Sequence, residues 1–209
     1  MNIHDVYRPF LRYFRTRRMR VFVEQFKVSD ASRIVDVGGS PFNWSLIGQK
    51  PDITLVNVNV QDWDDGRMRM LCYDGKVLPF ADHAFDLCYS NSVIEHVGDW
   101  SDIQRFAREI RRMAPAYYIQ TPNRNFFIEP HFICAFVHWL PFGLRRKMIR
   151  YASVWGWVTK PSQQDIDNAL SGIRLLNVSE MKVLFPDAVI MRERFLGMTK
   201  SIIACKVPG

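Results

Sequence analysis

The stretch RIVDVGGSPFNWSLIG, Arg33 to Gly48, constrains this chain more than any other. Ile34, Val35 and Val37 make a short apolar run that suits a buried strand. The run carries one acid, Asp36, and ends on two adjacent glycines, Gly38 and Gly39. Ser40 or Pro41 then opens a short helix over residues 41–47. A strand that turns straight into a helix belongs to a parallel sheet, and such sheets bind ligands beyond the carboxyl ends of their strands. Glycine lets the backbone take φ > 0 and lets a ligand approach closely, and a carboxylate accepts hydrogen bonds from a hydroxyl or an ammonium. An ordinary tight turn is the competing reading. The glycines do not follow G-x-G-x-x-G, and no G-x-x-x-x-G-K-[ST] occurs, so the pyrophosphate of NAD or ATP finds no cradle.

Further along, strands are expected at 52–58, up to Asp74 (RMRMLCYD), at 84–91 and at 116–122, the last stopped by Pro122. Helices are expected at 6–26, at 101–113 with Ser101 as N-cap, and at 178–184. Two strands near 188–195 and 200–207, joined by LGMT, suggest a closing hairpin. The alternation predicts a three-layer α/β fold: a mostly parallel sheet, helices on both faces, and an antiparallel last strand. Residues 123–170 interrupt the pattern with a Phe-, Trp-, Pro- and Arg-rich insertion, read as a helical cap after the fifth strand.

The 209 residues suit a single domain, 1–209, carrying that insertion. Cys72, Cys88, Cys134 and Cys205 form no C-x-x-C pair and read as buried free thiols in a reducing compartment, with no metal site suggested. No apolar signal segment opens the chain, and the longest apolar run, Phe132 to Phe142, is shorter than the roughly 20 residues a bilayer needs. A cytoplasmic location follows as an expectation, with peripheral membrane contact at most. The net charge of +7 is unevenly placed. Residues 1–27 hold seven Lys/Arg against two acids, and residues 124–160 hold six against one. The first segment reads as a basic amphipathic helix, with Arg8, Arg12 and Arg15 opposite Phe10 and Phe14. Both segments are rich in aromatic residues, which points to an anionic, partly apolar partner.

IVDVGG, followed by CYDGKVLPFADHAFDLCYSNSVIEHV, resembles the Rossmann-like (class I) S-adenosylmethionine-dependent methyltransferases, in particular the methyltransferase type 11-like branch with LPF…FD and EHV signatures. The resemblance runs from about Arg33 to Pro122 and resumes in the last thirty residues. It implies a seven-stranded sheet with an antiparallel last strand and S-adenosylmethionine as cofactor. On that resemblance, Asp36, Gly38 and Gly39 hold the methionine end. Asn57 stands where the family presents an acid to the ribose, with Asn59 as a second candidate. Asp74 and Gly75 meet the adenine, and Asn91 lies beside the sulfonium. Ser40 replaces a common glycine, and the neutral Asn57 offers hydrogen bonds about half as strong as charge-assisted ones.

Methyl transfer to a hydroxyl or amine needs a base near the acceptor. In TPNRNFFIEPHF, Glu129 and His131 flank Pro130, and an extended path there sets both side chains on one side. His131 is the expected base, oriented by Glu129, with Asn123 or Arg124 on the substrate; a structural turn is the alternative. His96 of IEHV is the rival base. Phe136, Trp139, Phe142, Trp155 and Trp157 of the insertion would line an apolar pocket beside Arg145, Arg146, Lys147 and Arg150. These features fit a small-molecule or lipid-linked acceptor, or contact with an anionic membrane. Nucleic acid fits them less well, because no RNA-binding module is recognisable. An RNA or protein methyltransferase and a non-catalytic adenosine-ligand or membrane-binding module remain as alternatives.

Overall fold

The computed structural model describes residues 3–208, with side chains from Arg12 onward. Arg8 and Phe10, expected on opposite faces of the first helix, therefore have side chains outside the described residues. The chain opens with α1 (Ile3–Phe26) and β1 (Arg33–Val37), then α2 (Pro41–Trp44), β2 (Asp52–Asn57), β3 (Trp63–Asp64), β4 (Met68–Cys72) and β5 (Leu87–Asn91). A one-turn helix at Ile94–His96 leads to α3 (Trp100–Met113) and β6 (Ala116–Pro122). The insertion holds β7 (Ile128–Glu129), β8 (Cys134–Ala135), α4 (Phe142–Ala152), α5 (Val154–Thr159) and α6 (Gln163–Ser171). The chain closes with α7 (Val178–Leu184), β9 (Val189–Phe195) and β10 (Met198–Lys206).

The main sheet runs β3-β4-β2-β1-β5-β6-β10-β9. β4, β2, β1, β5 and β6 are parallel, and β10 is antiparallel to both β6 and β9. This is the expected mostly parallel sheet with an antiparallel end, widened by the two-residue edge strand β3. The expected helix cap at Ser101 is instead Asp99, whose side chain accepts from the Asp102 backbone N–H while Ser101 donates to Asp99. A carboxylate at this position also complements the helix dipole.

Side-chain alternation along the strands sorts the core into two layers. Val35, Val37, Cys88, Tyr117 and Ile119 face α3 and α7. Ile34, Tyr89, Ala116 and Tyr118 face the opposite side and pack with Met19 and Phe22 of α1. The first helix is therefore a core layer. Burial of Phe14, Met19 and Phe22 contributes about 1.5–3 kcal/mol each. Arg18 is buried as well: its Nε and Nη2 donate to the two carboxylate oxygens of Glu193 on β9, each at 3.0 Å. This two-pronged pair clamps α1 across the antiparallel edge.

The insertion has its own small core of Phe132, Cys134, Val137, Ile149 and Ile166. Its arginines mostly hold it together. Arg145 donates to the Leu140 carbonyl, Arg146 pairs with Asp167, and Arg150 donates to the Pro161 carbonyl. The expectation that the cap aromatics line a pocket is corrected. Phe136, Trp139, Phe142 and Trp157 are exposed, and Trp155 packs on Phe132. The indole N–H groups of Trp139 and Trp157 reach back to the carbonyls of Arg124 and Tyr151, which fixes their rings at the surface. Cys72 is also exposed at the end of its strand, whereas Cys88, Cys134 and Cys205 are buried as expected.

Candidate active site

The acid and the bare turn after β1 explain each other. Asp36 shares the α1 side of the sheet with Ile34, two residues before it. A Cβ on Gly39 would lie 2.1 Å from the Asp36 carboxyl group, so the side chain fills the space that Gly39 leaves. Gly38 has φ +80, a conformation that L side chains rarely adopt, and a Cβ there would lie 2.2 Å from Val93. Trp44 Nε1 donates to Asp36 Oδ2 at 2.9 Å, while Oδ1 is buried with no partner. Burial drives the Asp36 pKa up to about 7, against the pull of the Trp44 bond and the charge of Arg15.

Two cavities flank the strand tips, divided by the segment 91–97. The first, about 240 Å³, is bounded by Gly38, Asn57, Asp74, Gly75, Val93 and His96 among others. The second, about 320 Å³, has apolar walls from Phe126, Ile128, Pro130, Ile133 and Phe195. Its polar wall includes Arg18, Asn91 and Gln120, and Arg18 Nη1 donates to Asn91 Oδ1 at 2.7 Å. The proposed cofactor set thus divides. Gly38, Asn57, Asp74 and Gly75 border the crevice, Asp36 and Gly39 lie behind its glycine wall, and Asn91 faces the second cavity.

Asn57 is engaged within the chain. Its Nδ2 donates to the Gly39 carbonyl at 3.0 Å and to that of Gly38 at 3.4 Å, and its Oδ1 accepts from the Val58 N–H. An amide can hold two carbonyls in this way, whereas a carboxylate would repel them. Asn59, at φ +56, is exposed in the loop that follows. Asp74 is exposed at the rim, and its Oδ1 accepts from the Lys76 N–H.

His131 Nδ1 and Glu129 Oε1 are 2.6 Å apart, so the pair expected across Pro130 is brought together. The His96 and His131 rings meet edge to face with centroids 4.7 Å apart, and His96 borders the crevice. Glu95 completes the group and was missed in the sequence. It is fully buried, its Oε2 accepts from Thr121 Oγ1 at 2.9 Å, and its Oε1 lies 4.0 Å from His131 Nε2. Desolvation raises the Glu95 pKa to about 7 despite the opposing charge of His131. Desolvation lowers the pKa of His131, but its bond to Glu129 and the charges of Glu129 and Glu95 outweigh it, leaving a net rise. His96 moves down, chiefly through burial. Among the sequence signals, an acid inside the apolar run VIEHV was the only hint of Glu95. Asn123 is turned away from the cavities and donates to the Thr199 carbonyl.

Strand order, the antiparallel β10 and a glycine turn at the tip of β1 together define the class I methyltransferase fold. Residues 50–115 match the family model described as Methyltransferase domain. A SAM-dependent methyltransferase from Methanosarcina mazei is 15% identical, with a TM-score of 0.53 over 89% of this chain and 97% of that one. A structure described as putative Zn-dependent alcohol dehydrogenases from Rhodobacter sphaeroides is 10% identical, with a TM-score of 0.60 over 90% of this chain and 88% of that one. The 4+2 cyclase SpnF is 22% identical, with a TM-score of 0.45; the match covers 53% of this chain and 46% of the cyclase. No curated protein matches the chain. The chain has the Rossmann-like, class I methyltransferase fold, and its residues 50–115 are similar to a methyltransferase domain.

Proposed function

We propose that this chain transfers a methyl group from S-adenosylmethionine to an oxygen or nitrogen of a small-molecule or lipid-linked acceptor. The observation that carries the reading is the unpartnered, buried Asp36 Oδ1 beneath the bare Gly38–Gly39 turn. Such an oxygen lacks a hydrogen-bond donor, and the ammonium at the methionine end of S-adenosylmethionine would supply one. The residues present fit that group. Asp36, Gly38 and Gly39 would hold the methionine end, Asp74 and Gly75 the adenine, and Asn57 would keep the glycine turn in shape. Asn91 would border the reacting centre from the second cavity. When bound, the cofactor supplies an electrophilic methyl group.

The acceptor would occupy the second cavity, its apolar body against Phe126, Ile128 and Phe195 and a polar end toward Arg18, Asn91 and Gln120. His131, held by Glu129, would take the acceptor's proton, with His96 at the crevice wall between them. Dense packing under α1 would keep water from the reacting atoms. The exposed Phe136, Trp139, Phe142, Tyr151 and Trp157 of the cap favour an acceptor drawn from an anionic membrane surface. No helix among the described residues is long and apolar enough to cross a membrane.

Incubation with methyl-labelled S-adenosylmethionine and fractionated cell extract tests the reading. Label in small-molecule or lipid fractions, lost in His131→Ala, is expected. Label confined to RNA or protein would move the acceptor class, and undiminished turnover in His131→Ala would remove that residue from the reaction.

A further inference from the structure

Glu95, His96 and His131 converge so that one ligand atom from each lies within 4.8 Å of the others. Each is held from behind by a group that fixes which atom faces inward. Glu129 lies on His131 Nδ1 at 2.6 Å, so Nδ1 carries the proton and Nε2 the lone pair. The Gly172 carbonyl, 3.4 Å from His96 Nδ1, can only accept, which leaves the His96 lone pair on Nε2. Thr121 occupies Glu95 Oε2 and leaves Oε1. That Oε1 is buried and without a hydrogen-bond partner, and His131 Nε2, 4.0 Å away, is beyond hydrogen-bond reach.

We infer that Glu95, His96 and His131 form a binding site for a divalent transition-metal ion of the zinc or iron(II) class. Two imidazoles and one carboxylate suit such ions, and their nitrogen content argues against magnesium or calcium. Tetrahedral ligands about 2.0–2.1 Å from zinc stand roughly 3.3 Å apart, so the trio, within 4.8 Å of one another, needs to close by at most about 1.5 Å. A histidine whose second nitrogen meets a carboxylate is the usual outer support of a metal ligand, and Glu129 supplies it. Glu95 and His96 sit on one short helical turn, which the bond from Arg174 N–H to the Glu95 carbonyl anchors.

The site adjoins the crevice through His96. The inference stands on this cluster and does not depend on the methyl donor. It does bear on the proposed reaction, because an ion on His131 Nε2 takes the lone pair that would accept the proton. Proton transfer by His131 therefore belongs to the metal-free protein, and an ion in the site would switch it off.

The test uses the full chain, freed of any tag and stripped by a chelator, titrated with Co²⁺ and then with Zn²⁺. A single Co²⁺ per chain is expected, with the visible d–d bands of a low-symmetry nitrogen and oxygen site, displaced by Zn²⁺. Glu95→Gln, which keeps the bond to Thr121, and His131→Ala should both lose the bands. Glu129→Gln keeps all three ligands and should weaken Co²⁺ binding about 10–100-fold. Wild-type protein without d–d bands at saturating Co²⁺ would overturn the inference, even if a variant failed to fold. Unchanged bands in folded Glu95→Gln and His131→Ala would overturn it equally, since the ion would then sit elsewhere.

Discussion

Asp36→Asn isolates the buried acid that organises the crevice. In the free protein burial raises its pKa to about 7, so roughly 1% is ionised at pH 5 and half at pH 7. If an ammonium binds only the ionised form, affinity for S-adenosylmethionine rises about 50-fold between pH 5 and pH 7, or about 2.3 kcal/mol. The ligand's own ammonium and carboxylate keep their charges across most of that window. The titratable groups that feel Asp36 are Arg15 on α1, Tyr89 beside it on β5, and Cys88 on the other face of β5; the thiol and the phenol are both pushed above their usual values and stay neutral. An amide in place of the carboxyl group cannot ionise, so the Asp36→Asn variant should bind weakly with a nearly flat profile from this position. Calorimetry at pH 5, 6 and 7, in buffers of different ionisation enthalpy, reads both the affinity and the proton released. The same acid shapes stability without ligand. Its folded pKa lies above the unfolded value, so its contribution is fully present below about pH 4 and is lost as pH rises through about 7. Asp36→Asn should therefore gain on the wild type in urea unfolding at pH 8 relative to pH 5. Equal pH slopes in the two proteins, in binding and in stability, would refute the argument.

Gly38→Ala should cost about 2–5 kcal/mol, from positive φ and from the overlap with Val93. Adding Val93→Ala should recover the packing part alone, and full recovery in denaturant melts would show that the backbone conformation is unimportant. Glu193→Gln leaves the buried Arg18 of α1 without its charge partner and should destabilise by about 3–5 kcal/mol. A loss below about 1 kcal/mol, the range of exposed pairs, would mean that the helix is held by its apolar face alone.

β1, β2, β5 and β6 were readable because each is a short apolar run closed by Gly, Pro or Asn, and the glycine turn stood out for the same reason; the two-residue strands β3, β7 and β8 carry no such pattern and were not foreseen. The first helix was readable as a helix but not as a core layer. Its arginines look solvated in sequence, and only the fold brings Arg18 to Glu193, 175 residues away. The cap arginines misled in the same way, since Arg145 and Arg150 donate to backbone carbonyls and Arg146 pairs with Asp167, 21 residues on. The Glu129–His131 pair was local and therefore legible. Glu95 joins it only because the one-turn helix after β5 and the loop after β7 meet over the end of β6.

A crystal structure with S-adenosylhomocysteine bound tests the central claim most directly. The expected result is adenine against Asp74 and Gly75 and the amino-acid end over the Gly38–Gly39 turn, with its ammonium on Asp36. Ligand seated away from that turn, or a crevice still empty at saturating ligand, would contradict it.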